Sequence, residues 1–320
     1  MTTLGIEIKL SSPTTKKTIS DGASLVVTET CLPIKVYVGH VINLIEQGVK
    51  NIFVPSIQSI APKIYNCSKI RGLPDLIRNI IKADINIIEA TLDKSEKNND
   101  VIDFIKEIAY QYDIKDMELI NKALDNGTIE QNNFYVMLQN GVEYYKALEF
   151  AKKGTVIIPP KKERKPINIA LVGHGYNIYD KKACMDIQKK LEKMNVGVYS
   201  AYELTLEQLK GGMHSLEASL YWANQYEMTG CAGYYLLDEK IDGVITLTAF
   251  GCGPDSLMVE DIKRKAKKFN KALLNLTIDE HTGEAGFITR LEAFCDMLYR
   301  NKRAKIMKER KKEEEILSKI

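Results

Sequence analysis

Apolar and polar positions alternate along this chain in two rhythms, short apolar runs and longer stretches of helical spacing. Gly5 to Leu10 reads as a strand. Ser12-Pro13 then supplies an N-cap and a proline for the first helical turn, and Ile19, Ala23, Val26 and Val27 keep helical spacing behind it. Pro33 restrains the residue before it, so this helix should stop near Cys31. A second helix is expected from about Ile34 to Gln47, closed by Gly48. Asn51 to Pro55 is a short apolar strand of the kind found in a covered parallel sheet. A loop with Cys67, a helix opened by Gly72-Leu73-Pro74 and a strand from Ile85 to Glu89 follow. From Asp100 to about Lys153 the pattern is amphipathic and helical, with an interruption expected near Asp125-Asn126-Gly127.

Pro159 to Pro166 is charged, bounded by prolines and without apolar period, so residues 159–166 read as a linker. Beyond it the pattern alternates. Strands are expected at Ile167–Val172, Val196–Ser200, Gly243–Phe250 and Ala272–Ile278. Helices are expected at about Lys181–Met194, between Thr205 and Leu237, at about Ser256–Phe269 and from about Glu284. Such alternation predicts an α/β fold with doubly wound parallel sheets. The expected organisation is an N-terminal α/β domain with a long helical extension (1–158), the linker, a C-terminal α/β domain (167–300) and a charged helical tail (301–320).

With 320 residues, 45% hydrophobic and 27% charged, the chain has the balance of a globular protein large enough for two cores. A net charge of +3 gives no basis for nucleic-acid binding. No run reaches the roughly 18–20 apolar residues of a membrane span, and Met1 to Gly5 lacks a signal-peptide pattern, so a cytoplasmic location is expected. In that setting six cysteines are packing thiols, reactive thiols or metal ligands rather than a disulfide framework.

In an open α/β sheet, chemistry gathers at the carboxyl ends of the strands. Three expected strands end in unusual loops: Gly173 to Asn177, Gly251 to Asp255, and Asp279 to Glu284. Cys252 lies between two glycines just before an expected helix, where the backbone can approach a bulky ligand and the helix terminus favours a thiolate. Ligand and reactive thiol are both open for it, against simple packing. Cys31 and Cys67 also lead into helices, with both readings open. Cys184 and Cys295 fall within amphipathic helices and read as packing residues, and Cys231 leans the same way. The spacing excludes a zinc ribbon and a ferredoxin-type run. Glu280, His281 and Glu284 are candidate proton donors or acceptors, although Thr282 and Glu284 would also serve to start a helix. His40 reads as a helix-packing residue, Gly173-x-Gly175 as a turn or a weak phosphate cradle, and His214 and Trp222 as structural.

Several of these segments resemble elements of 2-hydroxyacyl-CoA dehydratases and their activase-associated relatives. Cys31 to Val36 with Gly39-His40-Val41 is similar to their CLPVK…GH element, and Cys67 with Gly72 to Ile77 to their C…GLPD element. Phe250 to Ser256 is similar to FGCGPDS, and Leu276 to Gly286 to LTIDEHTGEAG, the pair that marks a small stand-alone branch. The resemblance implies two α/β domains with a cleft and a [4Fe-4S] cluster between them, held by Cys31, Cys67 and Cys252 with one iron left open. It implies a separate ATP-hydrolysing activator that delivers low-potential electrons, a homodimer or a related cluster-bearing subunit, and an acyl-CoA or other small-molecule substrate. The chain has no G-x4-GK[ST] run, so ATP hydrolysis would fall to the partner. Set against the resemblance, the strand and helix with which family members usually begin are expected to be absent here. The expected function is thus an iron–sulfur protein for reductive or dehydratase-type chemistry. The alternatives are a non-catalytic binding or scaffold subunit of such a system, and an enzyme with a cysteine nucleophile.

Overall fold

The structure is a computed structural model that describes residues 1–95, 100–160, 164–219 and 221–317. The middle of the expected linker, residues 161–163, and the last three residues of the expected tail lie outside the described residues.

Helix α1 (Lys16–Leu25) begins at Thr15, whose side chain forms a capping box with Thr18, and not at Ser12-Pro13 as the sequence suggests. Cys31 is the N-cap of α2 (Leu32–Glu46), with Pro33 in its first turn. The two helices pack at glycines. A Cβ on Gly39 would stand 1.8 Å from the Thr18 carbonyl oxygen, and one on Gly22 would stand 1.8 Å from that of Lys35. This close approach fixes α2, which Cys31 caps, against α1. Gly39→Ala is therefore expected to lower stability by about 2 kcal/mol, through overpacking against a backbone that cannot yield. Chemical denaturation measures it, and a change below about 0.5 kcal/mol would contradict the packing described.

Next come β1 (Asn51–Phe53), β2 (Ser56–Ala61), β3 (Ile64–Tyr65), α3 (Ser68–Arg71), α4 (Leu73–Ile80), β4 (Asn86–Ile88) and β5 (Thr91–Asp93). They do not form one doubly wound sheet. β1 pairs in parallel with β4, while β2 pairs in parallel with β5 and antiparallel with β3. Gly5 to Leu10 is not a strand: it pairs with no described strand, and Ile8 and Leu10 are exposed. Helices α5 (Val101–Tyr110), α6 (Met117–Gln139) and α7 (Tyr144–Lys152) follow. The breaks fall at 111–116 and 140–143, where Asp116 caps α6 and Gly141 adopts a left-handed φ of 80°. Gly127 sits inside α6 with open space around it, so it has no cause to interrupt the helix.

The C-terminal half contains β6 (Ile167–Val172), α8 (Gly175–Ile178), α9 (Ile187–Lys193), β7 (Val196–Tyr199), α10 (Leu206–Ser215), α11 (Cys231–Leu237), β8 (Gly243–Ala249), α12 (Gly253–Lys268), β9 (Ala272–Ile278) and α13 (Glu284–Leu317). Helix α9 is shorter than the spacing predicts. The Asp180 carboxylate caps a separate turn at Lys182 and Ala183, and Met185 and Asp186 adopt left-handed backbone. The four strands form a parallel sheet in the order β7-β6-β8-β9. Along β6, Ile167, Ile169 and Leu171 face one core, while Ala170 and Val172 face another. The first core also takes in Leu32, Ile34, Val38 and Val41 of α2 and Ile52 of β1, so it is shared between the two halves of the chain. Both faces of the sheet are covered, as the apolar strands require. No described helix is long and apolar enough to cross a membrane.

Candidate functional site

Three of the described helices have a cysteine as N-cap. Cys31, Cys67 and Cys252 are the N-caps of α2, α3 and α12, all with extended backbone. Pro33 and Pro254 occupy the first turns of α2 and α12, where proline's missing N–H is harmless. The three loops meet at Glu29. The Lys69 ammonium on α3 donates to the Glu29 carbonyl at 3.1 Å, and a Cβ on Gly251 would stand 3.0 Å from that same oxygen. Gly251 has φ 76°, so glycine is required there for both backbone and space. Cys67 and Cys252 line one small cavity together with His174, Tyr176 and Trp222.

Burial pushes the Cys31 thiol up, while Lys69 draws it down and Cys67 adds to the rise. Burial also pushes the Cys252 thiol up, helped by the Asp255 carboxylate and, more weakly, by Cys31. Cys31 is thus close enough to each of the other two thiols for charges to interact. All six cysteines are free. Among the described residues, no three His, Cys, Asp or Glu side chains are grouped so as to hold a metal ion. Cys184, Cys231 and Cys295 are buried in the cores.

Beside Cys252 lies a buried charged group that the sequence reading passed over. His174 is 2% exposed, with Nε2 2.6 Å from Asp255 Oδ1 and Nδ1 3.1 Å from Glu227 Oε2. A carboxylate accepts only, so both ring nitrogens donate and the ring is an imidazolium. Burial alone would lower its pKa; the bonds to Asp255 and Glu227 outweigh that and lift it to about 9. Tyr202 donates to the second Glu227 oxygen, while Asp255 Oδ2 has no partner among the described residues.

The fold explains the meeting. β6 and β8 are hydrogen-bonded neighbours, so the loops at their carboxyl ends adjoin, and a π-turn at Tyr226–Gly230 presents Glu227. Gly173 is there for packing: a Cβ would lie 2.6 Å from Ile178 and 2.8 Å from the Leu247 carbonyl. His174 and Asp255 both sat in loops singled out by pattern. Glu227 lay in a stretch read only as helical, with no motif around it.

Residues 1–203 match a family model described as "CoA enzyme activase uncharacterised domain (DUF2229)". The chain belongs to that family. No curated protein matches it. The matched part of this CoA enzyme activase family member includes Cys31, Cys67 and His174; Cys252, Asp255 and the 279–284 loop lie beyond it.

In this family member the loop after β9 is tied to α2. Lys35, with a side chain 3% exposed, places Nζ 2.5 Å from Glu280 Oε1 and 2.8 Å from the Thr28 carbonyl oxygen. Burial would raise the Glu280 pKa; Lys35, together with the Glu280 backbone N–H and His281, more than reverses this. His281 is well exposed, with Nε2 3.6 Å from Glu280. Glu284 lies in the first turn of α13, paired with Lys190 at 2.8 Å. Asp279 and Thr282 close the turn between them. Trp222, read from sequence as structural, bridges to Tyr65 through its backbone and also lines the cavity of Cys67 and Cys252.

Proposed function

We propose that this CoA enzyme activase family member is the cluster-bearing component of a dehydratase or reductase system. Cys31, Cys67 and Cys252 would hold a [4Fe-4S] cluster, and a separate ATP-dependent activator would supply it with electrons. The observation that carries the reading is the meeting of three helix-capping cysteine loops on the one Glu29 carbonyl. The donor set fits in kind. Cys31 and Cys252 stand at the N-termini of α2 and α12, which offset part of the cost of a buried thiolate, and none of the three thiols is committed to a disulfide. Such a cluster, when bound, supplies one-electron chemistry at low potential and an open iron coordination position.

The chain's own residues have separate tasks around it. The His174 imidazolium, held between Asp255 and Glu227, neutralises part of the negative charge that Asp255 brings beside Cys252. Lys35 and Glu280 hold the loop after β9 against α2. His281, exposed to solvent and next to Glu280, is the member of the Glu280, His281 and Glu284 set best able to exchange a proton. Purification without oxygen, followed by iron and acid-labile sulfide analysis, tests the reading. A brown protein with iron and sulfide in similar amounts is expected, with both lost in Cys252→Ala. A colourless, iron-free anaerobic product would overturn it.

A further inference from the structure

The segment Gly5 to Ser11 and strand β1 both line an open slot of about 950 Å³. Tyr37, Val41 and Leu44 of α2 also line it, as do Tyr112 and Ile114, which follow α5. These helices cover opposite faces of β1. Ile52 shares a core with Val41, while the next residue, Phe53, meets Phe104 of α5 edge-on at 6.3 Å between ring centres. The slot therefore lies beside β1, between the same two layers that enclose the β1–β4 pair.

The edge of β1 on this side has no strand beside it: among the described strands β1 pairs with β4 alone. Along a parallel strand, successive residues turn their N–H and C=O groups to alternate sides. The Lys50 carbonyl accepts from Asn86 and the Val54 N–H donates to Ile88, so Lys50, Ile52 and Val54 address β4. Asn51 and Phe53 address the other edge. There the Phe53 carbonyl receives, among the described residues, only a long bond of 3.4 Å from the Tyr37 hydroxyl. Across the slot, no backbone N–H from Glu7 to Ser11 has an acceptor among the described residues. Ile8 and Leu10 are 48% and 62% exposed. A strand edge left open in this way is a template for pairing with another chain.

We propose that the slot is a docking site for an extended strand of a partner polypeptide, about five residues long and rich in apolar β-branched side chains, which pairs with β1 on one side and with Gly5–Ser11 on the other. Two rows of unpaired main-chain groups are met together by another main chain, which repeats its donors and acceptors at the same spacing. Ile6 to Ser11 spans about 20 Å when extended, which sets the length. Layers on both faces set the composition, since a strand covered on both sides is apolar throughout. The longest stretch outside the described residues, 96–99, is too short to be this strand. With a neighbour in the slot, the alternation of Ile6, Ile8 and Leu10 would be that of a paired strand. The proposal is independent of the cluster reading.

NMR titration of the full chain with the capped peptide KVIVIK tests the site, beside the same peptide N-methylated at alternate residues, which blocks one of its edges. Saturable binding of the parent peptide is expected, with amide exchange at Asn51 and Phe53 slowed at least tenfold and protection appearing within residues 7–11. The N-methylated peptide should bind at least tenfold more weakly. Phe53→Pro removes a donor on the open edge and leaves the bonds to β4 in place; it should weaken the parent peptide about tenfold, the loss of one hydrogen bond. No saturable binding, equal binding of the two peptides, or binding without protection at Asn51 and Phe53 would each overturn the proposal on wild-type protein, whether or not the variant folds. Protection of these amides without peptide, rising with protein concentration, would assign the slot to a second copy of the chain and overturn it as well.

Discussion

Replacing Lys35 with methionine is expected to lower the free energy of unfolding by about 4 kcal/mol, the largest loss from any single side chain treated above. The cause is the partner left behind more than the bond removed. Glu280 is only 14% exposed and faces Lys35 at 2.5 Å; without the ammonium its carboxylate keeps its charge in a poorly solvated place. Breaking a buried pair from one side typically costs about 3–5 kcal/mol, whereas removing both partners is often close to neutral. The double variant Lys35→Met/Glu280→Leu should therefore recover most of the loss. The pair also has a pH signature. The folded-state pKa of Glu280 lies below its ordinary 4.5, so its contribution is present above that value and is lost as pH falls through the folded pKa. Urea unfolding of the single and double variants measures the effect. A single-variant loss under about 1 kcal/mol would show that the two groups are not coupled as described.

His174 supplies the second large effect, with the opposite pH sense. Its folded pKa of about 9 stands above the ordinary 6.5, so its stabilisation is complete below pH 6.5. It declines as pH rises and is gone above pH 9. A shift of that size corresponds to about 3 kcal/mol. His174→Gln should accordingly be less stable than wild type at pH 6, with the gap between the two narrowing by about 3 kcal/mol at pH 9.5. Unfolding curves at the two pH values check this. An equal gap at both would mean that the buried ring is neutral and that the two carboxylates beside it do not hold a proton on it.

Much of the C-terminal sheet was legible in the sequence because its strands are apolar on both faces. Ile167 to Val172 and Gly243 to Ala249 are buried throughout, and their positions follow from composition alone. The N-terminal half was harder for a physical reason. Its strands are two to six residues long and only partly buried, so β2, β3 and β5 leave little periodic trace. Gly5 to Leu10 does alternate, but alternation states only that one face is apolar; it does not supply a neighbouring strand. The interruption expected at Gly127 failed because an exposed glycine costs a helix only about 1 kcal/mol, which a 23-residue helix tolerates.

At the site, the cysteines could be placed before helices because proline and glycine mark those boundaries in sequence. The Glu29 junction could not, since it depends on a backbone carbonyl. Glu227 was invisible for a similar reason: only the tertiary fold brings its carboxylate to His174. Lys35 was quoted only as part of a motif, and its burial against Glu280 links residues 245 positions apart.

Low-temperature EPR of the anaerobically purified, dithionite-reduced protein addresses the central claim most directly. The account predicts the signal of a reduced [4Fe-4S] cluster that disappears in Cys31→Ala, Cys67→Ala and Cys252→Ala and persists in Cys184→Ala and Cys295→Ala. No signal from iron-supplied wild-type protein, or a signal that survives loss of all three helix-capping cysteines, would contradict it.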